Sequence, residues 1–398
     1  MRENAPMTAP PGRLRENGAT SGALGIAAAL SMASMRACDA LLPALSSDFA
    51  VPVGVAAQSV SAFVLAYGFL QLLYGPLGDR FGRLRVISAA LAACSMANVM
   101  AAMAPSMTFL ALARGLSGAA AAGIIPLSMA RIGDTVPIEK RQQALARFMF
   151  ATVGGLIGGQ WLSGFLADVL NWRVVFCVLA TAFGVAAFLV RAQASCAAPD
   201  FSSSQGFANQ VRAVLSERWA RLILLVTAIE GLFTLAGFAF VPAYLHRRFG
   251  IGIGAAGAVM AMYGGGGLAY VTLSSVLIRR FSPGSLARLG GALLGAAFAI
   301  VAGGSRWEWS VLGCFLGGLG FYMLHNTLQT EATQMAPQAR GTAVGLFAAS
   351  LFFGQALGME LAAVMIDAFG ETSLFCSAAV ALPLVGIAFG NLVNRKGC

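Results

Sequence analysis

The chain has 398 residues, 58% of them hydrophobic and only 11% charged, with a formal net charge of +10. A soluble domain carries about 25% charged residues, so the composition argues against a cytosolic enzyme, a disordered protein or a secreted domain, each of which would expose too much apolar surface. The positive residues come in small groups between apolar runs, unlike the dense patch of a nucleic-acid binder; the expectation is a chain in contact with the lipid bilayer and no nucleic acid.

In chain order, twelve stretches reach the roughly 20 apolar residues that a helix needs to cross the hydrocarbon core. They are 22–43, 56–77, 84–104, 107–130, 145–167, 173–194, 221–243, 254–277, 285–304, 309–331, 343–366 and 373–393. The expected fold class is therefore an all-α membrane protein. Residues 1–21 form an N-terminal tail, 22–194 and 221–393 two six-helix bundles, 195–220 a polar and then basic central loop, and 394–398 a C-terminal tail. Twenty of the 26 Lys and Arg residues lie on segments that share a side with the N-terminus, and four lie on the other side. The positive-inside rule then puts both termini in the cytoplasm, with a bacterial plasma (inner) membrane as the expected location. The seven cysteines form no C-x-x-C pair, so neither disulfides nor a metal site is expected, and no cofactor.

An offset of about 200 residues relates the two halves. It sets Asp79-Arg80-Phe81 against Arg279-Arg280-Phe281, Pro137 against Pro337, and Asp168 against Asp367 within one place. It also sets Gly154 and Gly158 against Gly354 and Gly358. Small residues four apart let helices approach closely, so these four are the expected helix-packing glycines. Two parallel repeats are the plan of many transporters, with a solute site between them near the midplane.

The loop after the second stretch reads Gly75-Pro76-Leu77-Gly78-Asp79-Arg80-Phe81-Gly82-Arg83-Leu84-Arg85. Gly75, Gly78 and Gly82 suit a close approach and a tight turn, and Asp79 can pair with an arginine or cap a helix N-terminus. The segment resembles the G-x-L-x-D-R-x-G-R motif of the major facilitator superfamily, with Leu84 in place of the second basic residue. Leu110, Arg114 and Gly118 are similar to a second motif of that superfamily, with Ser117 in place of its Gln. The glycines of the fifth stretch resemble its antiporter motif without the Gly-Pro pair, and Asn171-Trp172-Arg173 resembles a feature of its drug-efflux branch. The resemblance implies two pseudo-symmetric bundles, a 12-span drug/proton-antiporter-like branch, a monomer, and a conformational latch at Gly75, Asp79, Arg80, Gly82 and Arg83.

Ionisable residues inside spans are costly and are functional candidates by default. Arg36, Asp39, Arg114, Glu230 and Glu360 are the five. Arg36 and Asp39 share a helix face. By helix rise, Asp39 and Arg114 can meet at similar depth. The resemblance implies that spans one, four, seven and ten line a cavity holding Arg36, Asp39, Arg114 and Glu230. A carboxylate that gains and loses an arginine contact takes up and releases a proton, so Asp39 and Glu230 are the proton candidates, with Arg36 and Arg114 as tuners or anion contacts. A static Arg36–Asp39 pair and a permanently neutral Glu230 stay open, and for Glu360 a structural role near the outer interface is expected. In the tenth span, Tyr322, His325, Asn326 and Gln329 follow helix faces and could hydrogen-bond a solute or another helix.

The expected function is secondary active transport by alternating access: proton-coupled efflux of a small molecule such as a drug-like compound, a sugar or a metabolite. The alternatives are a proton symporter or facilitator importing a nutrient, and more remotely a non-transport membrane sensor. No G-x-x-x-x-G-K motif occurs, so ATP is not expected to drive it, and no catalytic set points to an enzyme.

Overall fold

The computed structural model describes the backbone of residues 11–193, 207–336 and 340–396, and the side chains there except at 11–21, 79, 138–140, 142, 146, 207–208, 340 and 396. Those residues form helices and no strand. The long ones are α1 (Pro11–Asp48), α2 (Gln58–Phe81), α3 (Arg83–Ala102), α4 (Met107–Thr135), α5 (Ile138–Val169) and α6 (Trp172–Ala192). They continue with α7 (Arg218–Phe249), α8 (Ile253–Arg280), α9 (Pro283–Gly303), α10 (Glu308–Gln334), α11 (Arg340–Phe369) and α12 (Glu371–Lys396). Each expected stretch falls on one of them. Eleven are long and apolar enough to cross a membrane. The exception is α5, with 32 residues: Gln160 and its paired glycines dilute the apolar run, yet it packs along α1 and α8 as a spanning helix does.

The two halves repeat as packed objects. Within the first, α1 lies on α5, α3 on α6 and α4, and α2 on α4. Within the second, α7 lies on α11, α9 on α12 and α10, and α8 on α10. The halves meet along two seams, α2 with α11 and α5 with α8, which exchange under the same relation.

Glycine sets the closest approaches. A Cβ on Gly118 would strike the Phe63 backbone, and one on Gly318 the backbone of Tyr263. Gly155 and Gly159 press on Ala29 and Ala33 of α1, as Gly354 and Gly358 press on Ala228 and Leu232 of α7. This corrects the expected packing set. Gly154 and Gly158 have nothing within 4 Å of a built Cβ. The doubled glycines of α5 left two registers open in sequence, and the contact with α1 selects the other one.

Two helices are interrupted. In α4 the chain turns at Ala122–Gly123, where the Tyr74 ring fills the space beside Gly123 and its hydroxyl donates to the Ala119 and Ala120 carbonyls at 3.0 and 3.1 Å. In α7 a π-helical turn, Gly231–Leu235, follows Glu230 directly. Such turns shift the hydrogen-bond ladder by one residue and recur at functional sites.

The ends differ from the expected boundaries. Helix α1 begins at Pro11, ahead of the expected 22, and α12 runs on to Lys396. A helix, Phe207–Ser216, lies in the central loop, where the Gln210 carbonyl oxygen accepts from the Thr342 hydroxyl at 2.6 Å. Residues 1–10, 194–206 and 397–398, parts of the expected tails and loop, lie outside the described residues.

Candidate translocation site

Each half buries an ionisable group, and Tyr263 on α8 lies within electrostatic range of both. In the first, Arg36 Nη1 stands 3.4 Å from Asp39 Oδ2 on one face of α1, and Asp39 is fully buried. Gln160, fully buried on α5, lies beside Asp39, within hydrogen-bonding reach of its carboxylate. In the second, Glu230 is fully buried at the end of the regular part of α7. Its Oε2 lies 2.9 Å from His325 Nδ1 on α10, while Oε1 has no partner. The His325 ring is held between Phe321 and Phe347, with centroids 4.8 and 5.1 Å away.

Tyr263 on α8 joins the two groups. Its hydroxyl is buried and unpartnered, within electrostatic range of Arg36, Glu230 and Tyr322. On α11, Gln355 is fully buried with both amide atoms unpartnered, and its backbone abuts Gly231 of the π turn. Most buried polar groups in proteins are hydrogen-bonded. The unpartnered atoms of Glu230, Tyr263 and Gln355 therefore mark a place equipped for a polar guest. None of Gln160, Tyr263 or Gln355 was singled out in the sequence. A glutamine inside a glycine-rich span was the available signal for two of them.

The other expected residues fall as follows. Arg114 does not pair with Asp39. It is fully buried, donates to the Ser34 carbonyl at 2.8 Å, the Ser34 hydroxyl at 3.2 Å and the Ser59 carbonyl at 3.3 Å, and lies over the Phe63 ring. It thus ties α4 to α1 and α2. Tyr322 lies within range of Arg36 and stacks on Tyr270, whose hydroxyl accepts from Asn326 Nδ2 at 2.6 Å. Gln329 is exposed.

At the loop between α2 and α3, Gly82 has a φ of 88°, which makes the turn itself glycine-dependent. Gly78 lies against Leu127, but Gly75 touches nothing and is not a close-approach glycine. Arg83 forms an ion pair with Asp134, and Arg80 lies 5.2 Å over the Phe81 ring. The Asp79 side chain lies outside the described residues.

At the opposite ends of these helices the halves are pinned. The Ile253 and Gly254 amides at the start of α8 donate to Asp168 of α5 at 3.0 and 2.5 Å. The Ser61 hydroxyl of α2 donates to Glu360 of α11 at 2.8 Å.

Two repeated six-helix bundles with buried, unpartnered polar groups between them follow the plan of a membrane transporter. The Major Facilitator Superfamily matches residues 24–359, and the chain belongs to it. It is similar to the uncharacterized MFS-type transporter YceJ of Bacillus subtilis (strain 168), 25% identical over 81% of this chain and 83% of that one. It is also similar to a chloramphenicol resistance protein of Streptomyces lividans, 27% identical over 82% of this chain and 83% of that one. Among solved structures, a mutant of the nucleoside transporter NupG superposes with a TM-score of 0.79 at 14% identity, covering 93% of this chain and 98% of that one. That likeness speaks for the fold alone.

Proposed function

We propose that this chain is a proton-coupled exporter of a small molecule, a monomer of a bacterial inner membrane with both termini cytoplasmic. The observation that carries the reading is the Glu230–His325 pair, buried at a π turn, with Arg36–Asp39 buried in the other half and Tyr263 within electrostatic range of both. A buried carboxylate with one occupied and one free oxygen can exchange a proton when its neighbours shift. Rocking the halves changes which groups face Glu230 and Asp39, and that is the requirement for linking proton movement to solute movement. The resemblance to a chloramphenicol resistance protein favours efflux over uptake.

The test is solute uptake into proteoliposomes under an imposed pH gradient. The parent responds to the gradient; Glu230→Gln and Asp39→Asn lose that response while retaining gradient-independent counterflow. A normal gradient response in both variants sinks the assignment. Counterflow with and without the gradient also separates efflux from the import reading.

The latch reading of the α2–α3 loop makes a separate claim. Asp79→Asn is expected to abolish transport while leaving membrane insertion intact. Normal vesicle uptake by that variant would remove the loop from the mechanism.

A further inference from the structure

The seam between α2 and α11 opens sideways. A cleft of about 410 Å³ lies between α2, α4 and α11, with Leu65, Ala111, Phe353 and Leu357 among its walls. Its polar end is formed by Gln58, Ser61 and Glu360. A second cleft of about 180 Å³ shares Leu65 and Phe353 and runs on to Ala228, close in sequence to Glu230. The walls face outward: Phe353 is 49% exposed and Leu357 is 45% exposed.

Glu360 is out of place in such a setting. At about 1.5 Å per residue it lies roughly 13 Å in from the end of α11 at Phe369. Its side chain is exposed at that depth rather than turned into the bundle. A carboxylate there is costly unless it meets a partner. Ser61 supplies one hydrogen bond to Oε1, and among the described residues no Lys, Arg or His forms an ion pair with it. The cleft therefore combines an unneutralised carboxylate, two neutral polar groups and an apolar, partly aromatic wall. That is the complement of a molecule with a cationic head and an oily body, since an aromatic face also attracts a cation.

We propose that the α2–α11 cleft is a lateral binding site for a cationic amphiphile taken from the bilayer. The head sits against Glu360, between Gln58 and Ser61. The body lies along Leu65, Phe353 and Leu357. The inference deepens the exporter reading by giving it a substrate class and an entry, but the binding itself needs neither the central carboxylates nor a proton gradient. An anionic or neutral molecule of the same shape lacks the attraction to Glu360 and pays the full cost of approaching it.

The experiment is equilibrium binding of tetraphenylphosphonium to the full chain in phosphatidylcholine nanodiscs, without a pH gradient. The parent binds it saturably, and tetraphenylborate, of matching shape and opposite charge, does not compete. Glu360→Gln weakens binding by about tenfold or more, and Glu360→Asp restores most of it. Leu357→Trp, which fills the cleft and leaves the carboxylate in place, blocks binding too, and it serves if Glu360→Gln fails to fold. Glu371→Gln, the same kind of change at an ion-paired carboxylate outside the cleft, binds as the parent does. Unchanged binding by Glu360→Gln and Leu357→Trp overturns the proposal. So does a loss confined to the Glu230 and Asp39 variants, which moves the ligand to the central chamber. No binding by the parent, with gradient-driven transport intact, overturns the cleft and leaves the exporter reading standing.

Discussion

The two halves share a scaffold and differ in their charges. Where α4 crosses α2 at Gly118 and Phe63, α10 crosses α8 at Gly318 and Tyr263. The α5–α1 contacts through Gly155 and Gly159 recur as the α11–α7 contacts through Gly354 and Gly358, and Pro43 of α1 has its counterpart in Pro242 of α7. In that register the buried ionisable groups have no counterparts. Glu230 stands where α1 has Ser31, His325 where α4 has Ile125, and Arg114 where α10 has Cys314. Backbone-to-backbone packing tolerates only glycine or another small residue, so both copies keep it. A transport site needs unlike groups facing each other, and the copies diverge there. Asp48–Arg173, where α1 ends and α6 begins, and Arg247–Glu371, where α7 ends and α12 begins, show an intermediate case: the same place in each half, with the charges exchanged.

The sharpest way to break this comparison is at Arg114 and Cys314. Arg114→Leu removes the three hydrogen bonds that tie α4 to α1 and α2 and is expected to cost about 3 kcal/mol. Cys314→Ala, at the matching place, costs about 1 kcal/mol. Thermal unfolding in detergent reads both, and equal shifts would deny that the halves carry different burdens here. The next contrast is functional. Glu230→Gln is expected to remove the response to a proton gradient with little loss of stability, whereas Ser31→Ala, its counterpart in α1, leaves that response unchanged.

A smaller effect is expected at the pinned end of the α5–α8 seam. Asp168 accepts two amides at the positive end of α8, an arrangement worth up to about 2 kcal/mol. Asp168→Ala should therefore move the equilibrium by about tenfold towards opening at that face. Distances between spin labels on the adjoining ends of α5 and α8 measure it, and an unaltered distribution rules out a pinning role. The smallest effect belongs to the exchanged ion pairs. Glu371→Gln should cost no more than about 1 kcal/mol. Asp48→Asn should cost slightly more, because Asp48 also accepts from the Trp172 indole at 3.0 Å. The double exchange Asp48→Arg with Arg173→Asp should recover most of the loss of either single change, as read by melting temperature.

Much of the fold was legible before any coordinates, because a membrane helix advertises itself by length and apolarity, and even α5 could be found by alternation of charge. The candidate site was legible one residue at a time. Asp39, Glu230 and His325 stand out as polar groups in apolar runs, yet nothing in one helix says which group it will meet in another. Arg114 shows the limit. Its depth suggested a carboxylate partner, and the structure instead gives it the carbonyls of α1 and α2. The glycine register shows the same limit at finer scale, since Gly154 and Gly155 are equivalent until α1 lies on one of them.

Composition and spacing by themselves determined that this chain lives in lipid, in two matched sets of helices, with a few charges placed where they are costly. Hydrophobicity and charge are local properties of each segment, so each segment declares them. The pairing of Glu230 with His325, the bonding of Arg114 to backbone carbonyls and not to Asp39, and the cleft beside Glu360 were decided only by tertiary structure. They depend on how each helix is rotated about its own axis, and that rotation is set by packing against neighbours from distant parts of the chain.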